Sequence, residues 1–178
     1  MVVLANSTQI LLMLLLLVQI AVIMQAVVQE IGGQRVGVRL SPVTPANDAS
    51  DPLPQPLFDH LARQLGPLQL AYLHVIEGAT GGARDHIQGE TAFDYDAMRA
   101  HYRAAGGSGA WMVNNGYDAA LARHALAHGA DLIAFGRPFI ANPDLPRRLH
   151  DNGPLHPVDR ATLYGGGAKG YIDYPALA

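Results

Sequence analysis

Cysteine is absent from the 178 residues, which excludes a disulfide framework, a thiolate nucleophile and any cysteine-held zinc or iron–sulfur centre. Charge is also scarce. Only 15 % of residues are Asp, Glu, Lys or Arg, and the formal net charge is −3. No run of cations is available to follow a phosphate backbone, so nucleic-acid binding is not expected. The Gly-x-Ser-x-Gly elbow of a hydrolase and the P-loop of a nucleotide triphosphatase are missing too. What is plentiful is apolar surface. At 49 % apolar residues the chain can build a core and is too hydrophobic to be disordered.

The scarcity of charge is uneven. Residues 1–29 carry none, and from Ile10 to Val28 only Gln19 and Gln25 interrupt an apolar run. That length approaches the roughly 20 residues needed to cross a bilayer core. Met1–Gln9 lacks the cation that opens a secretory signal. The first cation is Arg35, so no Lys/Arg asymmetry orients a span. Two readings stay open: membrane contact through residues 10–28, or a helix buried against the rest of the chain. The expected organisation is an apolar leader or helix over 1–25 and a folded unit over 26–178, cytoplasmic in setting.

Beyond Glu30 four short apolar runs read as strands: Val36–Leu40, Leu70–Val75, Ala110–Val113 and Leu132–Phe135. Helical patterns fall between and after them, at Leu57–Leu65, Tyr95–Ala105 and Tyr117–His128. Alternation of this kind implies βα units and a parallel sheet. Gly66, Gly106-Gly107 and Gly129 follow the helical patterns, where a left-handed cap is expected. Ser41–Pro56 holds Pro42, Pro45, Pro52 and Pro54 ahead of Pro56, which is expected to open the next helix. It reads as a long βα loop, a type of loop that is often functional. Four βα units make either an open sheet or half of a (β/α)8 barrel, which typically needs about 250 residues.

Parallel α/β folds bind ligands at the carboxyl ends of their strands. Those ends are Arg39-Leu40-Ser41-Pro42, Glu77 to Gly82, Asn114-Asn115-Gly116-Tyr117 and Gly136-Arg137-Pro138-Phe139. In the last two, a glycine turn can present backbone N–H groups to an anion, and Arg137 can add a guanidinium fork. A phosphate group is therefore expected there. Arg39 lies inside an apolar strand and faces either a ligand or a structural carboxylate. Other patterns are weaker. Gly165 to Gly170 fits G-x-G-x-x-G but lacks the flanking strand and helix of a dinucleotide fold. His124 and His128 stand four apart without a third ligand at supporting spacing, so no metal site is expected. His74 reads first as a hydrogen-bonded core residue, and Asp94 and Asp96 as helix-capping carboxylates.

Three stretches, Arg35–Pro42, Ala134–Leu145 and Gly170–Pro175, resemble the Old Yellow Enzyme family. Tyr72–Val75 and Asn114–Tyr117 fall in the family's order between them, and the likeness runs from about Ala26 to Ala178. The resemblance implies the carboxyl-terminal half of a (β/α)8 TIM barrel, strands five to eight, with FMN as cofactor and NAD(P)H as reductant. It implies reduction of a small activated alkene through the flavin. Arg39 would face the pyrimidine side of the flavin, and Asn115, Gly116, Gly136 and Arg137 would hold the FMN phosphate. Tyr171 would line the substrate side. No stretch resembles the family's amino-terminal half, which carries the substrate-gripping pair and the proton-donating tyrosine, so no catalytic residue is assigned. The alternative is a non-catalytic remnant or tethered module that retains phosphate binding; a third reading is another α/β enzyme acting on a sugar phosphate. A half barrel exposes strand edges at Val36–Leu40 and Leu132–Phe135, so a homo-oligomer or a complementary amino-terminal half is expected as partner.

Overall fold

The computed structural model describes residues 7–44, 51, 53–79, 87–88, 91–164 and 167–177, and of these 7–18, 87–88 and 91 by backbone alone. In chain order the elements are α1 (Ser7–Ile31), β1 (Gly37–Leu40), α2 (Pro54–Leu65), β2 (Tyr72–Ile76), β3 (Ile87–Gln88), β4 (Thr91–Ala92), α3 (Tyr95–Ala104), β5 (Ala110–Asn114), α4 (Ala119–Ala127), β6 (Leu132–Ala134), α5 (Arg137–Ala141) and α6 (Leu145–Asp151). Four strands form one parallel sheet in the order β1-β2-β5-β6, and β3 and β4 make a separate antiparallel pair.

Strand side chains alternate between two faces. On one face Val38, Leu40, Leu73, Val75, Trp111 and Val113 are buried against Leu61 and Leu65 of α2, Met98 and Tyr102 of α3, and Ala122 of α4. Ile20, Met24 and Val28 of α1 pack onto the same cluster at helical spacing. The other face has no helical cover among the described residues. It carries the row Arg39, His74, Met112 and Leu132 in direct register across all four strands. Tyr72 and Leu132 on that face remain 37 % and 43 % exposed. Gly37 lies under the Tyr72 ring, where a Cβ would stand 2.1 Å from its Cζ. At the amino ends of the strands Arg103 ties α3 to the sheet, donating to the Gly107 and Gly109 carbonyls and to Asp131 at 2.6 Å. Asp131 in turn accepts from the Trp111 N–H at 2.7 Å.

The four expected strands are present within one or two residues, and the three helices within three. Asp94 and Asp118 cap α3 and α4, accepting from Ala97 N and Leu121 N at 2.8 Å each. Three expectations need correction. First, α2 opens at Pro54 rather than at Pro56 or Leu57, because prolines are tolerated throughout the first turn, where N–H groups lack helical partners. Second, Gly66 is right-handed (φ −53°) and continues into a 3-10 turn; the left-handed residue is Gln69 (φ +50°). Close packing explains the glycine, since a Cβ there would come within 2.7 Å of Ala105 Cβ. Third, α5, α6 and the β3–β4 pair carry no periodic signal long enough to predict. Residues 45–50 and 52 of the Ser41–Pro56 loop lie outside the described residues, as do Gly165 and Gly166.

Helix α1 runs unbroken through residues 25 and 26. Among the described residues no helix is long and apolar enough to cross a membrane; the side chains of 7–18, which hold much of the apolar run, lie outside that set.

Strands β1 and β6 each have one neighbour, so each leaves a row of backbone donors and acceptors unpaired within the described sheet. Self-association is the expected state in solution. Light scattering should give more than one chain per particle, and a clean monomer would contradict it.

Candidate functional site

All four strands point the same way, so their carboxyl ends and the following turns share one rim of the sheet. Arg39 stands on β1 at this rim, Asn115 and Gly116 follow β5, and Gly136 and Arg137 follow β6. From β1 to β6 is three strand spacings, about 14 Å at about 4.8 Å each. A ligand touching both ends of the rim must therefore be elongated. Neither the Arg39 nor the Arg137 guanidinium forms an ion pair with a described residue. Arg39 is exposed on the uncovered face, which removes the structural-carboxylate reading from the described residues. A Cβ built on Gly136 meets nothing within 4 Å. The turn thus opens into space rather than against protein.

Gly136 forms part of a cleft of about 640 Å³ whose other walls include Phe135, Phe139 and Ile140 on one side and Tyr171, Ile172 and Tyr174 on the other. The structure thereby joins two residues that lie far apart in sequence, Gly136 and Tyr171. Arg39, Asn115, Gly116 and Arg137 share the rim but do not line this cleft.

Asn115 has a more specific position than its sequence suggests. Its φ of +106° is unusual for a residue with a side chain. Both hydrogens of its carboxamide are engaged, donating to the Glu77 carbonyl at 2.6 Å and the Ala79 carbonyl at 2.9 Å. Both hydrogens are thus spent on the turn after β2. The turn after β2 is held from several sides. Gly78 N donates to Tyr95 Oη at 2.7 Å, and Tyr117 Oη donates to Glu77 Oε2 at 2.6 Å. Glu77 N donates to the Asn114 carbonyl at 3.1 Å. Glu77, Tyr95 and Tyr117 were not assigned roles from sequence; the only hint was that each adjoins a strand end or a helix start.

His74 sits in the row beside Arg39. Burial lowers its pKa; the Asn114 carboxamide opposes that shift, and the Arg39 charge adds to it. The imidazole is therefore neutral at neutral pH. His74 Nε2 and Asn114 Oδ1 are both buried and have no hydrogen bond of good geometry among the described residues, so the Asn114 carboxamide acts on the imidazole by proximity rather than as a well-aligned partner. Elsewhere His124 and His128 stack at 3.9 Å on exposed α4, and no group of three metal-ligating side chains occurs among the described residues. Asp94 caps α3 as the sequence implied, whereas Asp96 in the first turn pairs with Arg99 at 3.0 Å.

Comparison with known proteins shows the family and fold to which the chain is related. The profile of the NADH:flavin oxidoreductase / NADH oxidase family matches residues 20–156. "Putative 12-oxophytodienoate reductase 12" of Oryza sativa subsp. japonica is 42 % identical over 163 residues, covering 87 % of this chain and 39 % of the relative. Chanoclavine-I aldehyde reductase of Penicillium roqueforti is 37 % identical over 155 residues, covering 84 % and 40 %. Among solved structures, the old yellow enzyme homologue from Zymomonas mobilis superposes with a TM-score of 0.77 at 34 % identity, covering 90 % of this chain and 44 % of that one. Morphinone reductase gives 0.71 at 38 % identity, covering 86 % and 39 %. The chain thus spans about two-fifths of the length of the curated relatives it matches.

Two outcomes follow. Because the folded-state pKa of His74 lies below its ordinary value, the associated stability is complete above about pH 6.5 and is lost as pH falls through the lower folded value. The thermal midpoint should drop on acidification below about pH 6.5, and His74→Leu should flatten that drop. Asn115→Ala keeps the positive φ while losing two hydrogen bonds, whereas Asn115→Gly loses the bonds but relieves the strain. Chemical denaturation should show the alanine variant less stable than the glycine variant by about 1 kcal/mol.

Proposed function

The chain belongs to the NADH:flavin oxidoreductase / NADH oxidase family, and from that premise we propose that it forms the phosphate-holding part of an FMN site in an Old Yellow Enzyme-type ene-reductase. The carrying observation is the rim itself, with a guanidinium at each end that forms no ion pair among the described residues and an open glycine turn beside one of them. FMN is elongated, with a phosphate at one end and an electron-accepting ring at the other, and its proportions suit a rim about 14 Å across. When bound, it would supply hydride relay from NAD(P)H to a small activated alkene.

This chain's own residues divide that task by position. Arg137, with the backbone of Gly136, Asn115 and Gly116, holds the phosphate; a guanidinium gives it two parallel donors. Arg39 places a fixed positive charge under the far end of the ligand, where it favours negative charge on the ring. Tyr171 and Tyr174 close the cleft beside Gly136 and keep water from its apolar walls. The Asn115 carboxamide keeps the β2 and β5 turns in register, so that the rim presents one continuous surface.

The uncovered sheet face favours a second reading for the chain in isolation: phosphate binding without turnover. The face bearing Arg39, His74 and Met112 has no opposing wall among the described residues, so nothing there encloses a ring or grips a substrate oxygen. A homo-oligomer or a complementary half would supply that wall.

An FMN titration followed by flavin fluorescence separates these possibilities. Saturable binding at micromolar concentration is expected. Arg137→Ala should weaken it about tenfold or more, since a hydrogen bond to a charged group contributes about 1.5–3 kcal/mol. Alkene-dependent NADPH oxidation by the same preparation would show that the ring end is enclosed as well. FMN binding without that oxidation would select the second reading, and absence of FMN binding would reject the flavin assignment for this chain.

A further inference from the structure

The most deeply placed charge in the described chain lies outside the rim. Arg148 on α6 is 1 % exposed and uses all three guanidinium nitrogens. Nε donates to Asp144 Oδ1 at 2.6 Å, one nitrogen donates to the Pro154 carbonyl at 2.6 Å, and the other to the Pro175 carbonyl at 2.9 Å. Asp144 uses its second oxygen to accept from Leu177 N at 2.8 Å. One ion pair therefore grips the chain at both ends of a long return, near residue 154 and again at residues 175 and 177. Asn142, also buried, accepts from His156 N at 2.8 Å and donates to the Pro138 carbonyl at 2.9 Å, which fastens the start of the return to α5. Between these ends the return makes mostly local bonds, such as Asp159 N to Tyr174 Oη at 3.1 Å and Gly170 N to Asp173 Oδ1 at 2.7 Å. It contains no helix or strand among its described residues. Yet it supplies Tyr171, Ile172 and Tyr174, one whole wall of the cleft beside Gly136.

We propose that Arg148 is a positioning residue, which with Asp144 straps residues 153–177 across α5 and α6 and so fixes the tyrosine wall opposite Gly136. The device is economical. A carbonyl fork held by a charged group that cannot reach water tolerates little displacement, because each freed carbonyl and the buried guanidinium would be left unsatisfied. The wall's position is thus set by a side chain that does not line the cleft. Its effect on a bound ligand rests on the flavin reading above; the strap itself does not.

Hydrogen exchange of the full chain, read by mass spectrometry without added ligand, tests the strap. In Arg148→Met the amides of 153–177 should exchange at least tenfold faster while those of β2 and β5 keep their protection. Asp144→Asn should give the same pattern at smaller amplitude. Arg148→Lys, which keeps the charge but has no fork, should restore part of the protection. Unchanged exchange over 153–177 would overturn the proposal, as would equal loosening of return and sheet in both Asp144→Asn and Arg148→Lys. If Arg148→Met does not fold, those two variants decide. Because no flavin is present, a negative result here is distinct from failure of the FMN titration.

Discussion

A parallel sheet has two faces to cover, and in this chain helices cover one. Everything else in the structure is arranged around that asymmetry. On the covered face Val38, Leu73, Val75, Trp111 and Val113 meet α2 and α3 in a core whose members are almost fully buried. On the other face a glycine, an arginine, a tyrosine and a histidine occupy the equivalent positions. Such residues do not make a self-sufficient core: Arg39 keeps its charge in water, and Tyr72 fills the space above Gly37. They suit a surface that faces a polar, partly aromatic ligand or a further layer of protein. The family to which the chain belongs closes such sheets into barrels, where this face turns inward.

The two ends of the sheet are built for different purposes. At the amino ends, Arg103 and Asp131 join α3, β5 and the start of β6 through short, charge-assisted bonds, a structural tie remote from the rim. At the carboxyl ends the bonding is between turns. Asn115, Glu77, Tyr95 and Tyr117 hold the β2 and β5 turns to one another, and Arg148 holds the chain beyond α6 back to that helix. In both places polar side chains are used to hold backbone in place. Rim geometry is therefore set by side chains that bond to neighbouring turns.

The contrast with the sequence reading follows the range of the interactions. Arg39, Gly136 and Arg137 were legible because strand ends can be located from periodicity alone, and the carboxyl ends of parallel strands share a rim whatever the details. Gly66 was misread because a glycine after a helix can serve a left-handed turn or a close approach, and only the neighbour, Ala105, distinguishes the two. His74 reads as a satisfied core residue from sequence, which does not report that Nε2 lacks a well-aligned partner among the described residues. Asp144 and Arg148 stand four apart, a spacing that foreshadows an ion pair on a helix. That the pair would be buried, and would grip Pro154, Pro175 and Leu177, had no local signal.

What the sequence determined by itself was the order of strands and helices, the parallel sheet they require, the rim that its carboxyl ends share, and the family motifs that lie on it. These depend on periodicity, capping and short motifs, all of which act within a few residues. Only the tertiary structure decided which face of the sheet stays bare, that Tyr171 comes to lie opposite Gly136, and that one buried guanidinium sets the distance between them. Those outcomes depend on contacts between residues distant along the chain, where burial converts an ordinary surface ion pair into a rigid constraint.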